Sequence, residues 1–288
     1  MLMSDRRIDV SLIPRYLEYL IQIGVTGAYF HGTTGEGVSI PHEEKKRLTR
    51  AWVEARRQLS SGNSTTARAA ASFLLIPNVS SCVTADALDH ARLCNELAVD
   101  AIATLPPFYY RPATPAILTQ YLASIAAAAE QTPLLYYHFP EMTHVDFPVR
   151  EVVDLAIQRI PSFAGLKYTS RDVIQLANLE REFGKRVKVF VGYEESMLSA
   201  AANGVNSGIC AQFSFRSCVE DFKVIMEKHG SNVEAAREAQ ARLTQVAHSL
   251  ASGAGDGSRS FIGNVKRRLA SESGLPVGPP LSPILEGK

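Results

Sequence analysis

Seven short apolar runs recur along the chain, and longer amphipathic stretches separate them. Most of these runs are continuously apolar, which is typical of strands that are covered on both faces, as in parallel sheets. Each run is therefore predicted to form a β-strand. The runs lie at 27–32, 73–79, 101–107, 134–139, 164–169, 187–193 and 207–213.

The stretches between these runs have the spacing of amphipathic helices, with apolar residues three and four positions apart. The strand midpoints recur at roughly 30 residues, which is the length of one strand–helix unit. A further helical pattern precedes the first run. The predicted helices up to the last strand are 11–23, 41–57, 84–97, 114–129, 148–159, 171–183 and 195–203.

Repeated strand–helix units of this length are compatible with an open doubly wound sheet or with a (β/α)₈ barrel. No GxGxxG motif follows the first run, which disfavours the dinucleotide-binding form of the open sheet. A TIM barrel needs eight strands, but the helix at 11–23 has no apolar run before it. We therefore predict an α/β fold, a (β/α)₈ TIM barrel whose first strand is missing.

The pattern after the seventh run is helical. The predicted helices are 217–229, 232–251 and 260–272, and the sequence SGAGDGS at 252–258, which we expect to be flexible, separates the last two. No linker sets these helices apart from the barrel. We therefore expect one domain over 1–288, with the barrel at about 1–215 and a C-terminal helical extension at about 216–288.

Composition excludes several classes of protein. The 288 residues are 46% hydrophobic and carry a formal net charge of +1, so a sizeable core is expected and a broad basic surface for nucleic acid is not. No apolar stretch could span a membrane, and the first residues have no signal-peptide core. Four cysteines without a CxxC pattern argue against a disulfide framework or a zinc site. We expect a cytoplasmic protein that binds neither nucleic acids nor membranes.

Lys167 lies within an apolar run, in the sequence GLKYTS. Strand alternation places Gly165, Lys167 and Thr169 on one face, and these small and polar neighbours favour the mouth of a barrel. A lysine amine that is shielded from water loses its proton more easily and can form a Schiff base with a carbonyl substrate. The alternative, from these residues alone, is a strand-end lysine that reaches solvent.

Two adjacent tyrosines, Tyr136 and Tyr137, lie one predicted strand before Lys167. Alternation makes them face opposite sides, so one of them points into the barrel. A buried phenol usually has a hydrogen-bond partner and can relay protons, with simple packing as the alternative. His138 follows an inward Tyr137, so we expect it to face outward and to have a structural role.

Three loop segments carry further candidate groups. HGTTGEG at 31–37 follows the first predicted strand, and its hydroxyls and amides could bind a carboxylate or form an ordinary turn. VGYEES at 191–196 places two carboxylates at a strand end, where they could bind sugar hydroxyls or begin a helix. PPFYYRP at 106–112 is predicted to be a turn that contacts a neighbour or lines the barrel mouth.

Taken together, GTTGEG, YYHFP, GLKYT, VGYEE and GLPVGPP follow the order and spacing of the pyruvate-dependent class I aldolase family, which contains N-acetylneuraminate lyase and dihydrodipicolinate synthase. The chain resembles this family from about Ile8 to about Leu285, and YYHFPEMT and GLPVGPP are most similar to the animal-type lyases. The resemblance implies a (β/α)₈ barrel, usually a homotetramer, that acts on a small-molecule substrate by Schiff-base chemistry without a metal or an organic cofactor.

The resemblance also assigns roles to individual positions. Lys167 matches the lysine that attacks the keto carbon, and Tyr137 matches the tyrosine that transfers a proton during carbon–carbon cleavage. The other matching positions bind substrate: Thr33 and Thr34 hold its carboxylate, Thr169, Gly192, Glu194 and Glu195 contact its sugar portion, and Tyr110 lines the site near a subunit contact.

One position separates the two branches of the family. The synthases carry an arginine five residues after the catalytic tyrosine, where it binds a second carboxylate, and this chain has Met142 there. An apolar side chain cannot form such a bidentate contact. The resemblance therefore favours a lyase, with cleavage of N-acetylneuraminate to N-acetyl-D-mannosamine and pyruvate as the expected reaction.

Three departures from the family pattern keep alternatives open. Ala211 stands where the lyases have a serine, Glu194 stands where an aspartate is usual, and the first strand with its TPF-like end is missing. The first alternative is a related 2-keto acid aldolase. The second is an inactive truncated isoform that acts only by assembling with full-length partners.

Overall fold

The computed structural model describes residues 8–252 and 260–281. The strands are β1 (Gly27–Phe30), β2 (Leu74–Pro77), β3 (Ile102–Thr104), β4 (Leu134–His138), β5 (Phe163–Tyr168) and β6 (Lys188–Val191). The helices are α1 (Ile13–Ile23), α2 (His42–Ser60), α3 (Thr65–Ala71), α4 (Thr84–Glu96), α5 (Pro115–Ala128), α6 (Pro140–Thr143), α7 (Val149–Arg159), α8 (Val173–Phe183), α9 (Met197–Ala202), α10 (Arg216–Lys228), α11 (Val233–Ser252) and α12 (Phe261–Ser273).

Six of the seven predicted strands are confirmed, whereas the seventh, 207–213, is wrong as a regular strand. Only a single parallel bridge forms there, between Val191 and Gly208. The chain then turns into a 3-10 helix, Ala211–Ser214, in which the backbone groups are satisfied locally instead of by a neighbouring strand. An apolar run therefore does not settle where a strand ends.

The remaining differences from the predicted elements are local. Helix α3 was not predicted, although Ser64 is a good N-cap and its hydroxyl accepts a hydrogen bond from Ala67 N at 3.0 Å. The short helix α6 was also missed. Most of the predicted flexible stretch, 252–258, lies outside the described residues. From Ile8 onward, the described chain contains an isolated bridge residue and helix α1 before β1, but no regular strand.

The strands β3, β4, β5 and β6 form one parallel sheet in sequence order. In its register Tyr137 lies beside Lys167, and Lys167 lies beside Phe190. A bridge from Asn78 to Ala103 adds the end of β2 to this sheet, and β1 pairs with β2. Parallel neighbours joined through helices are the strand–helix repeat that the apolar pattern predicted.

The chain divides into two compact units, which are described separately. The first consists of Met1–Ala28, Thr33–Leu74 and Ala211–Lys288, and the second of Tyr29–Gly32 and Leu75–Cys210. Strands β3 to β6 and helices α4 to α9 belong to the second unit. Within the described ranges, no helix is long and apolar enough to cross a membrane.

Helices at both ends of the chain build the first unit. Helix α1 buries one apolar face and ends at Gly24, which has the left-handed φ of 89° that favours glycine. On the same helix, Tyr16 packs edge-on against Trp52 of α2, with ring centroids 5.9 Å apart, and its hydroxyl lies 3.0 Å from Ser214 Oγ. These contacts join α1 to α2 and to the segment before α10.

A buried ion pair holds the loop after β1 to the C-terminal part of the same unit. Glu36 and Lys266 are both largely shielded from solvent and their charged groups are in direct contact. The Glu36 carboxylate also accepts a hydrogen bond from Leu281 N, and Lys266 Nζ donates to Pro279 O at 3.1 Å. Because Glu36 N donates to Thr33 O at 3.0 Å, this ion pair supports the turn that carries the threonine pair.

We predict that Lys266→Met strongly destabilises the protein, because it leaves the Glu36 carboxylate buried without its ion-pair partner. The expected loss in free energy of unfolding is about 3–5 kcal/mol, measured by urea denaturation. The double variant Glu36→Gln with Lys266→Met should recover much of it. Arg57→Met, which removes an exposed pair with Glu54, is the control and should shift the midpoint little. A Lys266→Met protein as stable as wild type would contradict the prediction.

Candidate active site

Lys167 lies near the carboxyl end of β5, on the strand face that the alternation predicted. Its side chain is buried, with 8% of the residue exposed. The amine lies over two tyrosine rings, with Nζ 4.2 Å from the ring centroid of Tyr137 and 4.6 Å from that of Tyr29. Aromatic faces attract an ammonium group without neutralising it. The prediction that Lys167 is shielded from water is confirmed, and the strand-end alternative is wrong.

The two tyrosines are themselves packed against each other, Tyr137 fully buried and Tyr29 partly buried. Their rings meet edge-on, with centroids 5.7 Å apart. Tyr29 accepts a hydrogen bond from Asn78 Nδ2 at 2.8 Å. Burial, and next the neighbouring Tyr137, raise the pKa of Tyr29 well above its ordinary value, while the Asn78 bond opposes this. Tyr29 therefore stays a protonated phenol beside the lysine.

Sequence reasoning did not identify Tyr29 and Asn78 as site residues. Asn78 is fixed by Ser80, whose N–H and hydroxyl both donate to Asn78 Oδ1, and Ser80 Oγ in turn accepts from Leu105 N at 2.7 Å. The alternation of GAYFHG could have indicated that Tyr29 faces inward. Which inward residue meets Lys167 depends on strand order, which a single sequence does not reveal.

A second group of predicted residues lies directly after the carboxyl ends of β5 and β6. Thr169 is buried, and its hydroxyl has no hydrogen-bond partner among the residues described. Gly192 lies directly against it, because a Cβ at this position would come within 1.9 Å of Thr169 Oγ1. Glycine is therefore required here for close approach. An unsatisfied hydroxyl of this kind is expensive to bury and is available to a ligand.

Glu194 and Glu195 begin the 3-10 helix that follows β6, and Glu194 is buried. Their charges affect Cys210, whose thiol donates to Val191 O at 3.4 Å. Burial raises the pKa of Cys210 well above its ordinary value, and the negative charge of Glu194 raises it further, while Lys167 lowers it. Lys167 and Glu194 thus both influence the pKa of Cys210, in opposite directions.

Three predicted residues remain, two of them in the first unit and one in the second. Thr33 and Thr34 belong to the first unit and are half-buried in the turn that Glu36 closes. Tyr110 is 87% exposed and meets Tyr109 edge-on at 4.9 Å, so the structure places it on the surface of the second unit. The roles of these three residues toward substrate stay predictions.

His138 was expected to face outward with a structural role. It lies on the opposite strand face from Tyr137, stacks on Tyr168 with ring centroids 5.3 Å apart, and its Nδ1 lies 3.3 Å from Tyr136 Oη. It is nevertheless buried, because this side of the sheet is also covered. Burial lowers the pKa of His138 to about 4, so the imidazole is neutral at physiological pH.

The model of the dihydrodipicolinate synthetase family matches residues 2–287. The chain belongs to this family. N-acetylneuraminate lyase of Gallus gallus is 28% identical to it over 98% of this chain and 86% of that protein. The solved Proteus mirabilis N-acetylneuraminate lyase has a TM-score of 0.86 and 22% identity, and the match covers all of this chain and 90% of that one.

A further solved structure, the 2-keto-3-deoxygluconate aldolase of Sulfolobus sulfataricus, has a TM-score of 0.80 at 21% identity, and the match covers 99% of this chain and 87% of that one. Likenesses at this identity show the fold, a (β/α)₈ barrel with C-terminal helices. The family makes this chain a carbon–carbon lyase of the class I aldolase type. The predicted resemblance, fold class and enzyme class are therefore confirmed.

We predict that His138 makes the protein less stable in acid. Its folded pKa of about 4 lies below the ordinary 6.5, so the unfolded chain binds more protons between these values. The contribution of neutral His138 to the free energy of unfolding is complete above pH 6.5 and is lost as the pH falls from there towards about 4. The loss is about 2 kcal/mol between about pH 7 and about pH 5, measured by urea denaturation.

A His138→Gln variant should lack this part of the pH dependence, whatever its absolute stability. His248→Gln, which replaces an exposed histidine on α11, is the matched control and should retain the wild-type dependence. An unchanged slope in His138→Gln would show that other groups cause the acid sensitivity.

Proposed function

We propose that this aldolase cleaves N-acetylneuraminate to N-acetyl-D-mannosamine and pyruvate through a Schiff base on Lys167. The observation that carries the proposal is the buried Lys167 amine, with Tyr137 as its cross-strand neighbour and both tyrosine rings against it. The name of the Gallus gallus relative supports the choice of substrate. Met142, in place of a carboxylate-binding arginine, argues against the synthase reaction.

In the proposed reaction, the neutral Lys167 amine adds to the keto carbon of the open-chain substrate, and loss of water gives a protonated imine. The imine withdraws electrons from the neighbouring carbons. The bond between C3 and C4 then breaks, its electron pair forms an enamine, and the C4 hydroxyl becomes the aldehyde of the departing sugar.

Tyr137 is the proposed proton relay for this step. Its phenol takes the proton of the C4 hydroxyl as its own proton passes to C3 of the enamine, so the phenol ends unchanged. Hydrolysis of the resulting imine releases pyruvate and the free Lys167 amine. Tyr29 contributes the second ring of the apolar surroundings, which keep bulk water from the amine.

We assign the substrate-binding residues from the family pattern. Thr33 and Thr34 are proposed to hold the substrate carboxylate. The sugar portion is assigned to Thr169, Gly192, Glu194 and Glu195, and the unpartnered buried hydroxyl of Thr169 supports this assignment.

A homotetramer in the cytoplasm is the proposed context of this activity. The exposed pair Tyr109 and Tyr110 supports an assembly, because tyrosine is enriched at protein interfaces. In the assembly Tyr110 is proposed to line a site near a subunit contact.

We predict that borohydride reduction in the presence of pyruvate adds a three-carbon group to Lys167 of the wild-type protein. Peptide mass spectrometry locates the adduct, since reduction makes the imine permanent. Lys167→Met should give none, whereas Lys185→Met, which removes an exposed lysine, should be labelled at Lys167 as in wild type. A wild-type protein without an adduct at Lys167 would overturn the proposed function.

A related 2-keto acid aldolase is the second candidate function. Two features favour it: Ala211 lacks the hydroxyl that the lyases carry there, and Glu194 extends one methylene further than aspartate. The 2-keto-3-deoxygluconate aldolase from Sulfolobus sulfataricus has the same fold. Shorter 2-keto acids are therefore the alternative substrates to test.

The two candidate substrates are distinguished by comparing kcat/KM for N-acetylneuraminate with kcat/KM for 4-hydroxy-2-oxo acids. We expect the sialic acid to be preferred, and the double variant Glu194→Asp with Ala211→Ser to raise that preference about tenfold, as one added hydrogen bond can. A wild-type preference for the shorter acids, with the adduct at Lys167 intact, would support the second candidate instead.

A further inference from the structure

Three side chains, Glu141, Arg171 and Tyr193, form a closed contact set just beyond the carboxyl ends of β4, β5 and β6. Tyr193 Oη donates to Glu141 Oε2 at 2.7 Å, and Arg171 Nε donates to Glu141 Oε1 at 3.0 Å. The Arg171 guanidinium lies 5.2 Å from the Tyr193 ring centroid. Each member thus contacts both others. We call this set the loop clasp.

The loop clasp joins the segments that follow three successive strands, although Arg171 and Glu141 are exposed to solvent. The side chains of Arg171 and Glu141 are 72% and 48% exposed. An isolated pair at such a site contributes little to stability. Here, however, a single carboxylate accepts two hydrogen bonds from different segments, and the guanidinium lies over the ring of the phenol that donates one of them.

The phenol of Tyr193 remains a donor under ordinary conditions. Burial, and next its hydrogen bond to Glu141, raise the pKa of Tyr193 above its ordinary value. The same hydrogen bond, together with Arg171, lowers the pKa of Glu141. The carboxylate is therefore ionised and the phenol protonated, which is the combination that the short Tyr193–Glu141 contact requires.

A continuous series of ring contacts leads from the loop clasp to the lysine. Tyr193 meets Phe139 edge-on with centroids 6.1 Å apart. Phe139 stacks on Tyr137 with centroids 5.7 Å apart and planes at 22°. Tyr137 in turn lies against Lys167 Nζ. A single intervening ring, Phe139, therefore connects Tyr193 to Tyr137.

We propose that Tyr193 is a positioning residue, held by Glu141 and Arg171, that fixes the Tyr137 phenol for proton transfer. This inference rests on the proposed function, since it assigns Tyr193 a part in the same reaction. It differs from a substrate contact in its consequences. Loss of the clasp should slow carbon–carbon cleavage while leaving substrate affinity and imine formation unchanged.

The test compares Tyr193→Phe, Glu141→Ala and their double variant. Tyr193→Phe keeps the ring and removes only the hydroxyl that Glu141 accepts. Both single variants should lower kcat for cleavage about tenfold, with KM within about twofold, because small displacements of a catalytic group are costly. The double variant should be no slower than the slower single variant, because both remove the same contact. Borohydride trapping with pyruvate should remain at the wild-type level.

Glu141→Gln provides the conservative variant, because the amide oxygen still accepts from Tyr193 while the charge is lost. It should recover part of the cleavage rate, and it keeps the test decisive if Glu141→Ala fails to fold. Glu182→Ala is the matched control, since it removes another exposed arginine pair of the second unit, Arg150 with Glu182 at 2.6 Å, and should leave kcat unchanged.

The outcomes separate this inference from the proposed function. Wild-type kcat in Tyr193→Phe, independent effects of the two substitutions, or a raised KM at constant kcat would each overturn the positioning role while leaving the Schiff-base activity in place. A wild-type protein that forms no adduct with pyruvate would overturn the proposed function, and the positioning role with it.

Discussion

The active site depends on one constraint, the burial of a lysine amine inside a parallel sheet. Removing an ionisable group from water is costly unless other contacts replace its hydration. Here the faces of Tyr29 and Tyr137 contact the amine. A core cluster of small and medium side chains, among them Ala101, Ala103 and Leu135, packs against Tyr29. Lys167 and Tyr137, its proposed proton relay, lie side by side in the strand register, with the amine against the phenol ring.

The opposite face of the same strands is equally buried, but its side chains have packing roles. Tyr136, His138 and Tyr168 pack against one another there, and Tyr168 Oη donates to Asp172 O at 3.0 Å. Strict alternation in β4 thus separates two adjacent tyrosines into a packing residue and a candidate catalytic residue. The polar groups of both faces are buried, so burial alone would not have distinguished them.

Local motifs and spacing predicted a large part of the molecule. Six strands, most helices and the opposite orientations of Tyr136 and Tyr137 follow from periodicities of two and 3.6 residues, which depend only on neighbours along the chain. The seventh predicted strand does not form as a regular strand, and helix α3 was not predicted. Apolar content does not specify whether backbone groups pair locally or across strands. Tyr29, Asn78 and the loop clasp were missed because each depends on contacts between segments distant in sequence.

The sequence by itself determined the family, the enzyme class and the identity of the candidate nucleophile, because an ordered set of motifs is specific even where each motif is weak. Only the tertiary structure decided what surrounds Lys167. Register places Tyr137 beside it, strand order brings Tyr29 against its amine, and close approach requires glycine at 192 beneath the Thr169 hydroxyl. Such neighbours are fixed by the packing of whole strands, which no local pattern of residues encodes.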